Sequence, residues 1–274
     1  MTESYNADKP QSRRSQYRIM VVEDSQVLYK VIKSQLERLG LGVDYADNGF
    51  EAVRLYQTED DVAILMDCQM PVMDGYEATG IIRALEQKRG GRVPIIAMTA
   101  TSSMDSCDNC LEAGMDDYMT KPFAPVDLAR TLIKWVPELK SVILLPEGGE
   151  ETQLVQKNDK SEVIDLQQMK AYVGDDEEVR QFVINDYLKN SHERMESLRH
   201  AVTSKNAPEI KRLAHSFKAV NAFVGAQVMV DILKAMEDHA PREEISAEEH
   251  LFVELVRNHD LVYQALAGLK QSKT

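Results

Sequence analysis

Residues 62–67 read VAILMD, five apolar residues followed by a single acid. So short and continuous a run suits a strand buried on both faces, the habit of parallel sheets. Working outward, runs of the same kind recur at 19–22 (IMVV) and 93–98 (VPIIAM), with weaker strands at 43–46 and 115–119. Between them lie stretches of helical period at 26–39, 49–57, 76–88, 103–112 and 126–135. Strands and helices alternating at this length predict an α/β fold, a doubly wound five-stranded parallel sheet.

Beyond Trp135 the pattern changes. Residues 137–162 mix Pro, Gly-Gly, Glu, Gln and Lys around one apolar patch at 142–145, the composition of a linker whose patch docks on a neighbouring surface. From Ile164 to Gly268 nothing resembles a strand, and helical periods break at Gly174, near 206–208, near Gly225 and at Pro241. This predicts an all-α helical bundle of about four long helices. The expected organisation is a disordered arm at 1–16, a first domain at 17–137, a linker at 138–162 and a second domain at 163–274.

Two domains also suit the length of 274 residues. The 32 Lys plus Arg against 45 Asp plus Glu give a net charge of −13, which repels a polyphosphate backbone, so DNA binding is not expected. The second domain carries 14 Lys plus Arg against 18 Asp plus Glu, too acidic for a DNA-reading helix-turn-helix. With no apolar run of 18 residues and no signal-like amino terminus, the chain is expected to be cytoplasmic and free of the membrane. Three cysteines do not make a disulfide framework, and Cys107 and Cys110, flanked by Asp105 and Asp108, read as a plain helix face because nearby carboxylates disfavour a thiolate.

In an open α/β sheet, ligands bind at the carboxyl ends of the strands. Those ends carry Glu23 and Asp24 after the first strand, Asp67 after the third, Thr99 after the fourth and Lys121 after the fifth. Three converging carboxylates call for a cation, and an all-oxygen set without His or Cys favours Mg²⁺. A dication, a lysine and a hydroxyl together suit a phosphoryl group. The first half has no histidine, which leaves Asp67 as the nucleophile that would become an acyl phosphate. Any one of these acids alone would be an ordinary solvated loop residue; their joint placement is what carries the argument.

The segments MVVEDSQVLYKVI, ILMDCQMPVMDGYEAT, IIAMTA and DDYMTKPF together resemble the receiver domain of two-component response regulators over about residues 17–137. The resemblance implies that Asp67 accepts the phosphoryl group and that Glu23, Asp24, Asp67 and the backbone carbonyl of Gln69 bind Mg²⁺. It also implies that Thr99 and Lys121 contact the phosphate, with Thr99 and Tyr118 as the switch residues. The Asp74-Gly75 pair needs only a turn and a helix start.

All six histidines follow residue 190. On the helix expected from about Ala207 to Phe223, the stripe Ile210, Leu213, Phe217, Val220 and Val224 is apolar, and His215 lies roughly opposite it, on the water-facing side. Lys211, Arg212 and Lys218 flank it, keeping the imidazole neutral and drawing in a phosphoryl group, while Ala219 and Ala222 leave room for another protein surface. His192 and His200 each have Glu196 at helical spacing and read as ion-paired; His239, His250 and His259 read as surface or packing residues.

The segment AHSFKAVNAFVGA, with IDLQQMKAYVGDDEEV upstream, resembles the histidine phosphotransfer (Hpt) domain over about residues 163–270. The resemblance implies that His215 is the phosphorylated histidine, accompanied by Lys218 and closed by Gly225. Ala219 departs from it, since glycine is usual there, which puts the tightness of partner approach in doubt. A receiver followed by an Hpt domain implies a phosphorelay intermediate. An upstream sensor histidine kinase would phosphorylate Asp67, His215 would take the group next, and a downstream response-regulator receiver would accept it last. No Gly-rich ATP motif occurs, so autokinase activity is not expected. A haloacid dehalogenase-type phosphatase would need an acid at position 69, where Gln69 stands. The opening Met1 and polar arm favour a free-standing protein over the C-terminal part of a hybrid histidine kinase. A non-catalytic adaptor, switched by phosphorylation of Asp67, is the alternative.

Overall fold

The structure, a computed structural model, describes residues 16–99, 104–143, 163–239 and 245–271. The arm expected at 1–16, apart from its last residue, and the linker from 144 onward lie outside them.

The strands are β1 (Arg18–Val22), β2 (Gly42–Ala46), β3 (Ala63–Asp67), β4 (Ile95–Thr99) and β5 (Asp117–Thr120). They form one parallel sheet in the order β2-β1-β3-β4-β5. The helices α1 (Gln26–Arg38), α2 (Gly49–Tyr56), α3 (Gly75–Arg89), α4 (Met104–Glu112) and α5 (Pro125–Trp135) alternate with them. The near-continuous apolar runs have the cause inferred for them: every residue of β3 and β4 is buried. Side chains alternate between the faces. Ile19, Val21, Leu65, Ile96 and Met98 pack with Ile32 and Leu36 of α1 and Leu128 and Leu132 of α5. Met20, Val22, Ile64, Met66, Ile95 and Ala97 pack with Ala78 and Ile82 of α3. Ile143, from the apolar patch after α5, is buried in the first of these clusters. Because the strand order reverses between β1 and β3, their carboxyl ends border a crevice that no crossover fills.

The second unit consists of α6 (Leu166–Val173), α7 (Glu177–Thr203), α8 (Ala207–Phe223), α9 (Gln227–His239) and α10 (Ile245–Gln271). Side chains of Asp165, Asp176 and Asn206 accept backbone N–H bonds at the starts of α6, α7 and α8, satisfying donors that a helix start leaves unpaired. Gly225 is required by its backbone: φ is +73°, and a Cβ there would lie 2.1 Å from the Asp165 carbonyl oxygen. The bundle core includes Val183, Tyr187, Phe217, Val220, Leu233 and Leu255. Polar groups are paired within it: Tyr187 donates to Asn221 Oδ1 at 3.1 Å, and His259 Nε2 lies 3.0 Å from Ser191 Oγ.

The bundle core also contains Val27, Leu28 and Val31, which belong to α1 of the sheet domain. So α1 packs on two sides, its Ile32 and Leu36 against the sheet and its Val27, Leu28 and Val31 against the bundle. Burying each of these three aliphatic side chains contributes roughly 1.5–3 kcal/mol. Polar contacts fix the alignment: Ser34 Oγ donates to Asp176 Oδ2 at 3.2 Å, Gln35 Nε2 donates to the Tyr172 carbonyl at 2.7 Å, and Lys30 Nζ lies 3.6 Å from the Phe182 ring centre.

Candidate functional site

The crevice gathers the residues that the strand ends pointed to. Glu23 and Asp24 follow β1, Asp67 closes β3, Thr99 closes β4 and Lys121 follows β5. Glu23, Asp67, Thr99 and Lys121 are buried, and Asp24 stands at the exposed rim. The Lys121 ammonium lies 2.8 Å from Glu23 Oε2 and 2.9 Å from Asp67 Oδ2, and the backbone N–H of Gln69 donates to Asp67 Oδ1 at 3.2 Å. Gly75 shows how closely the backbone approaches behind the acid, for a Cβ there would sit 2.1 Å from the Asp67 carbonyl oxygen. Asp74 caps α3 by accepting from the Glu77 N–H at 2.8 Å, the helix start read for this pair. Tyr118, on β5, is 40% exposed.

Oxygens of Glu23, Asp24 and Asp67 lie within 4.8 Å of one another. Three carboxylates against one ammonium leave negative charge uncompensated. Burial first, then the charges of Asp67 and Asp24, push the Glu23 carboxyl up to about 8 despite the opposing pull of Lys121. Partial burial and the charge of Asp67 raise Asp24 as well. This oxygen-only, charge-crowded set fits a hard dication such as Mg²⁺.

His215, on α8, differs from its expected setting. Its face of the helix is not wet: the side chain is only 13% exposed, and Lys218, Ala219 and Ala222 are buried. The apolar stripe does face the bundle core, but the opposite side is covered by α9 and by the sheet domain. Glu237, on α9, was not legible in the sequence. Its Oε1 lies 2.9 Å from His215 Nδ1, and its Oε2 receives a hydrogen bond from Lys218 Nζ. Hydrogen bonds from His215 and Lys218, with the Lys218 charge, outweigh burial and hold the Glu237 carboxyl down to about 2. An ionised carboxylate can only accept, so the Nδ1 proton points to Glu237 and Nε2 carries the lone pair.

The two centres meet. Glu23, Asp24, Asp67, Gln69 and Lys121 from the sheet domain and His215, Ser216 and Ala219 from α8 line one cavity of about 20 Å³, room enough for water. Thr99 and Tyr118 are not among its lining residues.

Two minor expectations change. Glu196 pairs with Arg199, while His192 meets the rings of His259 and Tyr263 edge-on at 4.9 and 4.6 Å. Aromatic packing, not an ion pair, occupies His192. Cys110 is buried with its sulfur 3.6 Å from that of Cys68, a pairing that the reading of a plain helix face did not include. Burial of this pair follows from the strand–helix packing, which a motif in one segment does not reveal; the Cys107 side chain lies outside the described residues. Among the described residues no helix is long and apolar enough to cross a membrane.

Comparison with known proteins agrees with both halves. The family model of the response regulator receiver domain matches residues 19–133, and that of the Hpt domain matches residues 183–270. The chain is 39% identical over 149 residues to a probable histidine kinase 1 of Oryza sativa subsp. indica, which covers 44% of this chain and 15% of that protein. It is 44% identical over 126 residues to the hybrid signal transduction protein dokA of Dictyostelium discoideum, covering 46% and 7%. With the sensor histidine kinase GacS of Pseudomonas protegens it shares 36% identity over 151 residues, covering 52% and 16%. The chain thus spans less than a fifth of the length of these relatives. Among solved structures it is similar to the receiver domain of a sensor histidine kinase from Pseudomonas aeruginosa PAO1, a structure with a magnesium ion coordinated in its active site cleft. The identity is 46%, the TM-score 0.41, and the match covers 44% of this chain and 98% of that one.

Proposed function

We propose that this chain, a response regulator receiver domain followed by an Hpt domain, works as a Mg²⁺-dependent phosphorelay intermediate in the cytoplasm. Asp67 takes a phosphoryl group from a sensor kinase phosphohistidine, His215 takes it from Asp67, and a downstream receiver takes it last. The observation that carries this reading is the shared cavity, in which the nucleophilic acid, its lysine and the histidine line one space.

The chemistry follows from the residues. An Asp67 carboxylate oxygen attacks phosphorus and the donor's P–N bond breaks. Lys121, already 2.9 Å from Asp67 Oδ2, neutralises charge on the phosphoryl oxygens, with the Thr99 hydroxyl as a further donor. A bound Mg²⁺, held by Glu23, Asp24, Asp67 and the Gln69 carbonyl, supplies charge neutralisation for the same oxygens and for the crowded carboxylates. His215 then uses its Nε2 lone pair, while Glu237 keeps the Nδ1 proton and stabilises the cationic ring that forms; Lys218 holds Glu237 in place. Tyr118, exposed on β5, serves with Thr99 as the switch pair.

The test is labelling of the full chain with radioactive acetyl phosphate and Mg²⁺. Wild type takes a base-labile label, the mark of an acyl phosphate, and Asp67→Asn takes none. Equal labelling of the two overturns the assignment.

A further inference from the structure

We propose that the two domains of this chain are each other's partners: the phosphoryl group on Asp67 passes to His215 of the same chain, in the closed arrangement that α1 and α8 hold together. This rests on Asp67 and His215 being the two phosphoacceptors and adds which histidine Asp67 serves.

Two independent features of the interface carry the inference. The first is apolar. Val27, Leu28 and Val31 form a stripe on α1 that the sheet does not use, and the Hpt core covers it completely enough to leave each at most 3% exposed. The second is alignment. Ser34 and Gln35, one turn along α1, bond to Asp176 and to the Tyr172 carbonyl, while Lys30 sits over Phe182. Contacts at the C-terminal end of α6 and at the start of α7 set one register, and that register brings His215, Ser216 and Ala219 to the rim of the Asp67 pocket.

Ala219 takes its meaning from this closure. It lines the pocket together with Leu28 of α1 and is buried in the same cluster, so its methyl group packs in the joint between the domains, and the fit at this position is to the chain's own receiver.

The transfer balances without any further reactant. The Nε2 lone pair of His215 forms the new P–N bond, the P–O bond to Asp67 breaks, and the electron pair returns to the Asp67 carboxylate. The Nδ1 proton stays against Glu237. Covalent connection makes the step first order, with effective concentrations on the order of millimolar for a short connection.

The experiment uses full-length chains labelled with radioactive acetyl phosphate and Mg²⁺ and counts base-stable phosphohistidine over a hundredfold range of protein concentration. We expect a first-order rate that does not change with wild-type concentration. An equimolar mixture of Asp67→Asn and His215→Gln chains, in which transfer can only occur between molecules, should be at least tenfold slower at micromolar concentration and should speed up on concentration. Val31→Asp, which places a charge in the shared core, should lose at least tenfold in base-stable label; its base-labile label at Asp67 reports that the receiver is still folded. A wild-type rate proportional to concentration and matched by the mixture overturns intramolecular transfer while leaving the relay standing. A wild type that labels at Asp67 but never forms a base-stable label overturns the relay itself, and this inference with it.

Discussion

Glu237 Oε1 accepts a hydrogen bond from His215 Nδ1 at 2.9 Å, from one helix of the bundle to the next. The pair fixes the ring tautomer, and in the proposed transfer the carboxylate would sit where positive charge develops on the ring. Glu237→Gln keeps the shape and removes the charge. We expect the initial rate of base-stable labelling to fall about tenfold, equivalent to about 1.4 kcal/mol in the barrier, with Asp67 labelling unchanged. An unchanged rate would mean that Glu237 serves packing alone.

The same contact has a pH signature in stability. The Glu237 carboxyl is held at about 2 in the folded chain against an ordinary 4.5. A lowered value stabilises fully above about 4.5, and the contribution is lost as pH falls through about 2. Wild type should therefore exceed Glu237→Gln in stability by on the order of 1–3 kcal/mol at pH 7, with the gap closing below pH 4. Urea midpoints at the two pH values measure it, and a gap that is constant with pH contradicts it.

If Glu23, Asp24 and Asp67 share one dication, removing one of its few charged ligands weakens the site. Asp24→Asn should bind Mg²⁺ at least several-fold more weakly in a direct titration. An unchanged titration would make the acidic group a solvated rim.

Far from the site, Arg83 bonds both oxygens of Glu86, at 3.0 and 2.8 Å, and Asp116 at 2.6 Å, with all three residues nearly buried. Removing the guanidinium leaves the buried Glu86 carboxylate without its cation, while Arg92 still pairs with Asp116 at 2.6 Å, so Arg83→Ala should cost about 3–5 kcal/mol. Chemical denaturation checks this; a loss below 1 kcal/mol would mean that water compensates the acids.

The sheet was legible because burial on both faces writes itself as continuous apolar runs, and its site because ligands collect at strand ends: Glu23, Asp67, Thr99 and Lys121 stand at the ends of β1, β3, β4 and β5. Helical period likewise located α8 and the position of His215 on it. What stayed hidden was pairing between distant segments. Glu237 is 22 residues from His215 and on α9, and nothing in its local sequence marks it. The solvent side of α8 was misjudged for the same reason, since a helical wheel gives the direction of His215 but not what lies there. A signal for the covering surface did exist: α1 carries Val27, Leu28 and Val31 in addition to the Ile32 and Leu36 needed by the sheet. An apolar helix face in excess of what one core can bury implies a second surface.

A pulse and chase follows the transfer of phosphate from Asp67 to His215. Full-length chain is labelled briefly with radioactive acetyl phosphate and Mg²⁺, the donor is removed, and samples are split between base and acid quenches. Base-labile label should decline as base-stable, acid-labile label rises with the same time constant. His215→Gln should keep the first and never form the second, and Asp67→Asn should form neither. Base-stable label appearing at the wild-type level in Asp67→Asn, or persisting in His215→Gln, would contradict it.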